Sequence, residues 1–123
     1  MPSRTGLLNT PEPAIDASLR QFKAGVFQAL GHPTRIHIIE TLRQHERSVG
    51  AIQGMVGVEA ANLSQHLAVL RSKRLVLTRK EGNMIYYRLG DPLLSEVLNI
   101  MRRYFHSHLE ESLAMLKEVE SEK

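Results

Sequence analysis

The sequence predicts a mainly α-helical fold with one small β-hairpin, in the order four helices, two strands and a long final helix. Three observations predict it. Apolar residues recur at helical spacing through most of the chain. A glycine-bracketed turn at Gly54 to Gly57 separates a short helical stretch from a second one rich in small polar residues. Finally, Leu75 to Lys80 and Met84 to Leu89 carry β-branched and aromatic residues on either side of Glu81-Gly82-Asn83, the pattern of a hairpin.

Residues 1–13 hold Pro2, Pro11, Pro13 and Gly6 among polar neighbours and read as a flexible arm, leaving 14–123 as the folded domain. The first helix runs from Ala14, with Ile15, Leu19, Phe22, Val26, Phe27 and Leu30 on one side, and Gly31 stops it. Pro33 suits the first turn of a second helix carrying Ile36, Ile39 and Leu42. Ser48 is the expected N-cap of a third, short helix bearing Val49, Ile52 and Met55. The fourth spans about Ala60 to Ser72, where Leu63, Leu67 and Leu70 fall at i, i+4 and i+7 and form one buried stripe. Asp91 and Pro92 open the last helix, whose apolar pattern runs through Leu94, Val97, Leu98, Met101, Phe105, Leu109, Leu113 and Leu116. A helix of that length exceeds what a small domain buries on itself, so it is expected to pair with a second copy.

The chemistry lies between Ser48 and Leu89. The face of the fourth helix opposite the leucines shows Ala61, Ser64, Gln65 and Ala68. Side chains this short let a helix lie deep in a major groove, where Gln and Ser reach base edges and Ala methyls meet thymine methyls. Arg71, Lys73, Arg74, Arg79, Lys80 and Arg88 follow, against the single acid Glu81. Phosphate neutralisation calls for such a one-signed patch, whereas a solvated face mixes both signs. The sequence therefore predicts a winged helix-turn-helix that reads duplex DNA, with the hairpin as its wing. A winged helix serving protein contact is the competing assignment, and it predicts an uncharged or acidic wing.

Composition narrows the alternatives. The chain has 123 residues, a net charge of +3 and no cysteine, so disulfides and thiolate chemistry are excluded. The tail from Glu110 is acidic, which places the positive surface in the middle of the chain. No apolar run approaches the ~20 residues of a membrane span, and no secretory signal is present; a cytoplasmic protein without membrane contact is expected. No nucleophile and base are brought together by the helical reading, and no glycine-rich phosphate loop occurs, so an enzyme is not predicted.

Three runs, Ala29-Leu30-Gly31-His32-Pro33-Thr34-Arg35-Ile36, Asn62-Leu63-Ser64-Gln65-His66-Leu67-Ala68-Val69-Leu70 and Glu81-Gly82-Asn83-Met84-Ile85-Tyr86-Tyr87-Arg88-Leu89, closely resemble the arsenic-repressor (ArsR/SmtB) family of winged helix-turn-helix regulators over about residues 18–105. The resemblance implies a homodimer through the first and last helices, using Leu19, Phe22, Val26, Leu98, Met101 and Phe105, that represses transcription at double-stranded operator DNA until an effector arrives. It places base-edge contacts at Ala61, Ser64 and Gln65, with Asn62 nearby. Ala68, Arg71, Lys73, Arg79, Lys80 and Asn83 complete the expected DNA surface. The chain departs from the family pattern at Glu59, Ala60 and Ala61, where relatives commonly carry Ser or Gln. Sequence preference is therefore expected to lean on Ser64, Gln65 and DNA shape.

The family's metal sites are either cysteines, absent here, or a set that falls on Asp91, Leu93, Tyr104 and Ser107, of which three cannot serve. Asp91 is then a helix cap. A non-standard nickel, zinc or cobalt site would have to use His106, His108, Glu110 and Glu111 shared between two chains, and ordinary surface histidines are the alternative. His66 reads as a packing or phosphate-side residue, and His32 and His37 as structural or phosphate-facing.

Overall fold

A computed structural model describes residues 12–121. The chain forms α1 (Glu12–Leu30), α2 (Pro33–Thr41), β1 (Arg47–Ser48), α3 (Val49–Val56), α4 (Ala60–Ser72), β2 (Val76–Glu81), β3 (Met84–Leu89) and α5 (Leu93–Ser121). The helices and hairpin stand in the expected order. The expected arm falls mostly on residues outside the described range, and Glu12 and Pro13 already belong to α1.

One strand was not anticipated. Arg47 and Ser48 pair antiparallel with Tyr87 and Tyr86 of β3, giving a three-stranded sheet in the order β1-β3-β2. Two residues carry no periodicity that sequence reading can detect; β3 supplies the ladder. The hairpin turn is also tighter than expected, because Glu81 pairs with Met84 and leaves only Gly82-Asn83 in the loop. Gly82 has φ 60° and Asn83 is not among the positive-φ residues, the pattern of a II′ turn, which matches the twist of its strands.

The core is small and comes from the first four helices, the turns after α2 and α4, and the start of β2: Ala29, Ile38, Ile39, Leu42, Ile52, Leu63, Leu67, Leu70, Leu75 and Val76, with β3 and the start of α5 packed against it through Tyr87, Leu89, Leu94 and Leu98. Leu63, Leu67 and Leu70 are buried as the spacing predicts. Each contributes about 1.5–3 kcal/mol by leaving water, so α4 has one way to face. In α2 the outcome differs from the spacing, since Ile38 and Ile39 are buried while Ile36 is exposed. Ile36 instead lines an apolar groove with Phe27, Leu30, Val97, Met101 and Phe105. Met55 of α3 is exposed, and Ile52 is buried in the core with Val49 and Val56 packed against it.

Caps set the boundaries. Ser48 Oγ accepts from Ala51 N at 3.1 Å, and Gly57, at φ 75°, ends α3 in the left-handed conformation. Asp91 Oδ1 accepts from Leu93 N at 2.9 Å, which fulfils its expected role at the start of α5. The end of α4 is a Schellman closure: Leu75 N donates to Leu70 O at 3.0 Å and Arg74 N to Arg71 O at 2.9 Å, with Leu70 and Leu75 both buried. Here Arg74, not glycine, takes the left-handed position, at φ 56°. Gly90 passes this turn so closely that a Cβ would stand 2.1 Å from Arg74 O, while Gly90 N donates to Leu75 O at 2.9 Å.

Urea unfolding at one fixed protein concentration should separate these two positions. Arg74→Gly relieves left-handed strain and should raise stability by about 0.5–1 kcal/mol. Gly90→Ala must displace backbone and should cost about 2 kcal/mol or more. Equal stabilities for the two variants would show that the turn relaxes freely.

Candidate nucleic-acid interface

The turn before α4 is held from inside: Gln53 Nε2 donates to Val58 O at 3.3 Å, and Leu63 N donates to Glu59 O at 2.9 Å. Glu59 is the N-cap residue without a side-chain capping bond, so its carboxylate favours the helix start only through the dipole. From this start α4 buries its leucines and leaves Ala61, Asn62, Ser64, Gln65 and Ala68 exposed on one continuous face. All five predicted reading residues therefore share the solvent side of one helix.

Between α4 and the hairpin lies an open cleft of about 610 Å³, lined by Val49, Ser64, Leu67, Ala68, Arg71, Ser72, Ile85 and Tyr87. Strand alternation then sorts the wing. Lys80 pairs with Ile85 and Thr78 with Tyr87, which places Lys80 and Thr78 on the cleft side. Arg79 pairs with Tyr86 and Leu77 with Arg88, so Arg79 and Arg88 occupy the opposite face.

Arg79 is also fully occupied there. Its Nε donates to both carboxylate oxygens of Glu46 at 2.9 Å, its NH2 bonds Glu46 as well, and NH1 meets Glu81 Oε2 at 2.8 Å. The guanidinium lies 4.5 Å from the centre of the Tyr86 ring. The Arg79 hydrogen bond holds the Glu46 carboxyl below its ordinary pKa, and the two carboxylates hold Arg79 above its own. Glu46 stands thirty-three positions before Arg79, so a scan of local charge cannot register it. Lys73 is turned aside too: its ammonium lies 3.2 Å from where a Cβ on Gly25 of α1 would stand. Of the cations singled out from the sequence, Arg71 at the cleft and Lys80 on the wing face the reading side, with Asn83 exposed at the wing tip.

His32 and His66 are neither free nor apart. His32 Nδ1 accepts from Thr34 N at 3.1 Å and caps α2, and its ring lies 4.3 Å from that of His66. Burial first, then His32 and Arg35, push the His66 pKa below its usual value.

The expected dimer residues divide. Leu19, Phe22 and Phe105 are more than half exposed or close to it, at 50%, 64% and 55%, and Phe27 joins them at 64%. Val26 and Leu98 reach inward to the core, and Met101 is half-buried in the groove beside them. On α5, His106 Nε2 lies 3.4 Å from Glu110 Oε1 and His108 Nδ1 lies 3.8 Å from Glu111 Oε2. These are two separate exposed pairs, and among the described residues no group of three or more His, Cys, Asp or Glu is poised around one point. No described helix is long and apolar enough to cross a membrane.

Comparison with known proteins agrees with this geometry. The family model described as bacterial regulatory protein, arsR family, matches residues 32–78. The HTH-type transcriptional regulator Rv0081 of Mycobacterium tuberculosis is 38% identical over 102 residues, covering 82% of this chain and 90% of that protein. Its crystal structure superposes with a TM-score of 0.71 over 77% of this chain and 96% of its own. A homodimeric winged helix-turn-helix DNA-binding domain from Mycobacterium bovis, 32% identical, also gives 0.71 over 78% of this chain and 89% of that one. The transcriptional repressor BigR of Xylella fastidiosa, 29% identical, gives 0.66 over 78% and 97%.

Salt dependence of DNA affinity checks the sorting of the cations. Lys80→Ala should lower the magnitude of the slope of log affinity against log salt by about one for each copy of the chain bound, and Glu46→Gln, which leaves Arg79 only its Glu81 partner, should raise it by at most about one per copy. An unchanged slope in Glu46→Gln together with a loss of about one per bound copy in Arg79→Ala would mean that Arg79 already holds a phosphate.

Proposed function

Since the chain belongs to the ArsR family of bacterial regulatory proteins, we propose that it represses transcription as a homodimer bound to a two-fold-symmetric operator, reading bases with α4 and holding the flanking backbone with the β2–β3 wing. The observation that carries this reading is the shared orientation of two surfaces. The exposed small-polar face of α4 and the Lys80 side of the wing border one open cleft.

In the proposed complex α4 lies in the major groove. Gln65 and Ser64 donate to and accept from base edges, Asn62 stands at the groove margin, and Ala61 and Ala68 allow close approach. Arg71 and Lys80 flank the cleft and neutralise phosphates, and Asn83 reaches the backbone from the wing tip. The M. bovis relative is described as homodimeric and the X. fastidiosa relative as a repressor. The exposed aromatic face of α1 and α5 supplies the surface that such pairing would cover. A dyad then turns one α4 into two, spaced for successive major grooves.

A metal-responsive reading draws on the His106–Glu110 and His108–Glu111 pairs. Each pair offers two donors, so a closed nickel, zinc or cobalt site needs a second pair from the partner copy. Calorimetric titration of each metal into the protein, with His106→Ala and His108→Ala alongside, distinguishes a shared site from surface histidines. Binding weaker than about millimolar points to the latter.

Footprinting of a selected duplex tests the main reading. Two protected half-sites related by a dyad are expected, and Gln65→Ala should lower the ratio of specific to nonspecific affinity by about tenfold. A single asymmetric footprint, or an unchanged ratio in Gln65→Ala, would refute it.

A further inference from the structure

Between the reading helix and α1 runs a chain of side-chain bonds that the DNA surface itself does not use. Arg35, on α2, donates through Nε to Ala29 O and through NH2 to Gln28 O at 3.3 Å, two carbonyls of the last turn of α1. Its remaining nitrogen, NH1, lies 3.2 Å from Nδ1 of His66 on α4. A guanidinium only donates, so His66 Nδ1 must be the acceptor and the ring proton must sit on Nε2. The His32 ring lies against His66, with centroids 4.3 Å apart and planes tilted by 42°, and is held in the same tautomer, because its own Nδ1 accepts from Thr34 N.

We propose that Arg35 and His66 are positioning residues that fix the reading helix to α1, and that a proton on His66 Nδ1 breaks this link and weakens DNA binding in acid. The inference rests on the reading of α4 as the DNA-recognition helix. The added proton converts an acceptor into a donor that faces another donor, and it places a positive ring beside the Arg35 guanidinium. Among the described groups, the charges that act on His66 are His32 and Arg35, both from the α2 side. Either one opposes a further positive charge, as does burial.

The direction of the effect identifies its source. His66 releases its proton more readily in the folded chain than in the unfolded one. The arrangement is therefore intact above the ordinary histidine range, near pH 6.5, and is lost as pH falls from there toward the lowered folded value. A histidine that touches phosphate does the opposite, since gaining charge tightens its hold on DNA. Affinity that falls in acid thus points to the link at His66, and affinity that rises points to histidines on the DNA surface.

The test uses the full chain and a fluorescent duplex that it selects from a random-sequence library at about pH 7.5. Affinity should fall by about threefold or more between about pH 7.5 and about pH 5, because the proton enters His66 only below the ordinary histidine range. His66→Asn keeps an acceptor where Nδ1 stands but cannot titrate, so its affinity should be flat over that range. His32→Asn keeps the α2 cap and should retain the acid-induced fall. An affinity that rises or stays level in the unaltered chain overturns the proposal. So does a fall that survives in His66→Asn or disappears in His32→Asn. Nitrogen-15 spectra of the histidine rings provide a second reading that needs no DNA. At neutral pH His66 should show an unprotonated Nδ1, and a protonated Nδ1 overturns the link directly. A chain that selects no duplex defeats the DNA reading, and the ring spectrum then decides the Arg35–His66 bond by itself.

Discussion

Leu75 is the residue around which the functional half of the molecule is arranged. Its amide closes the end of α4 on Leu70 O, its carbonyl accepts Gly90 N from the far end of β3, and its side chain is buried beside Leu70 and Val76. α4, the first strand of the hairpin and the last are thereby tied within one turn of chain. Displacing that turn would change the angle between α4 and the hairpin, and with it the cleft between the proposed base-reading face and the proposed backbone contact. The left-handed Arg74 and the close pass of Gly90 are local costs of holding these three segments together.

Electrostatics is arranged by the same geometry. A run of positive charge along a sequence becomes a surface only after strand alternation and distant partners have divided it. Here alternation sends Arg79 and Arg88 to the side away from α4, and Glu46, from the segment before β1, binds Arg79 there. The pair pins the back of the wing to the α2–β1 connection. Arg79 therefore stabilises the position of the wing, while the cations left toward the cleft are fewer and better placed than the count along the chain suggests.

The local patterns were readable, and the features closed by distant contacts were not. Helical spacing located the Leu63, Leu67 and Leu70 stripe, Ser48 and Asp91 were recognisable as caps, and the exposed face of α4 follows directly from the stripe. The two-residue strand β1 could not be read, because nothing in Arg47-Ser48 distinguishes it until β3 is beside it. The end of α4 carries no glycine, so its Schellman closure shows only through Leu70 and Leu75 meeting in the core. Ile36 and Ile39 looked equivalent by spacing. α1 and α5 leave Ile36 in an open groove and the body of the domain covers Ile39. His66 was expected to pack or to face phosphate, and its partner Arg35 is invisible to any local pattern because thirty-one positions separate them.

The central claim is that α4 and the wing form one rigid reader whose two parts touch different features of the same half-site. The absence of cysteine allows this to be tested cleanly, since an iron-EDTA label can be attached at a single introduced thiol. With the label on Ser64→Cys, cleavage should fall within the centre of each half-site. With the label on Asn83→Cys, it should fall on the backbone displaced to one side, and both patterns should repeat across a dyad. Coincident cleavage from the two positions, or none from Ser64→Cys on a duplex that the protein still binds, would contradict the account.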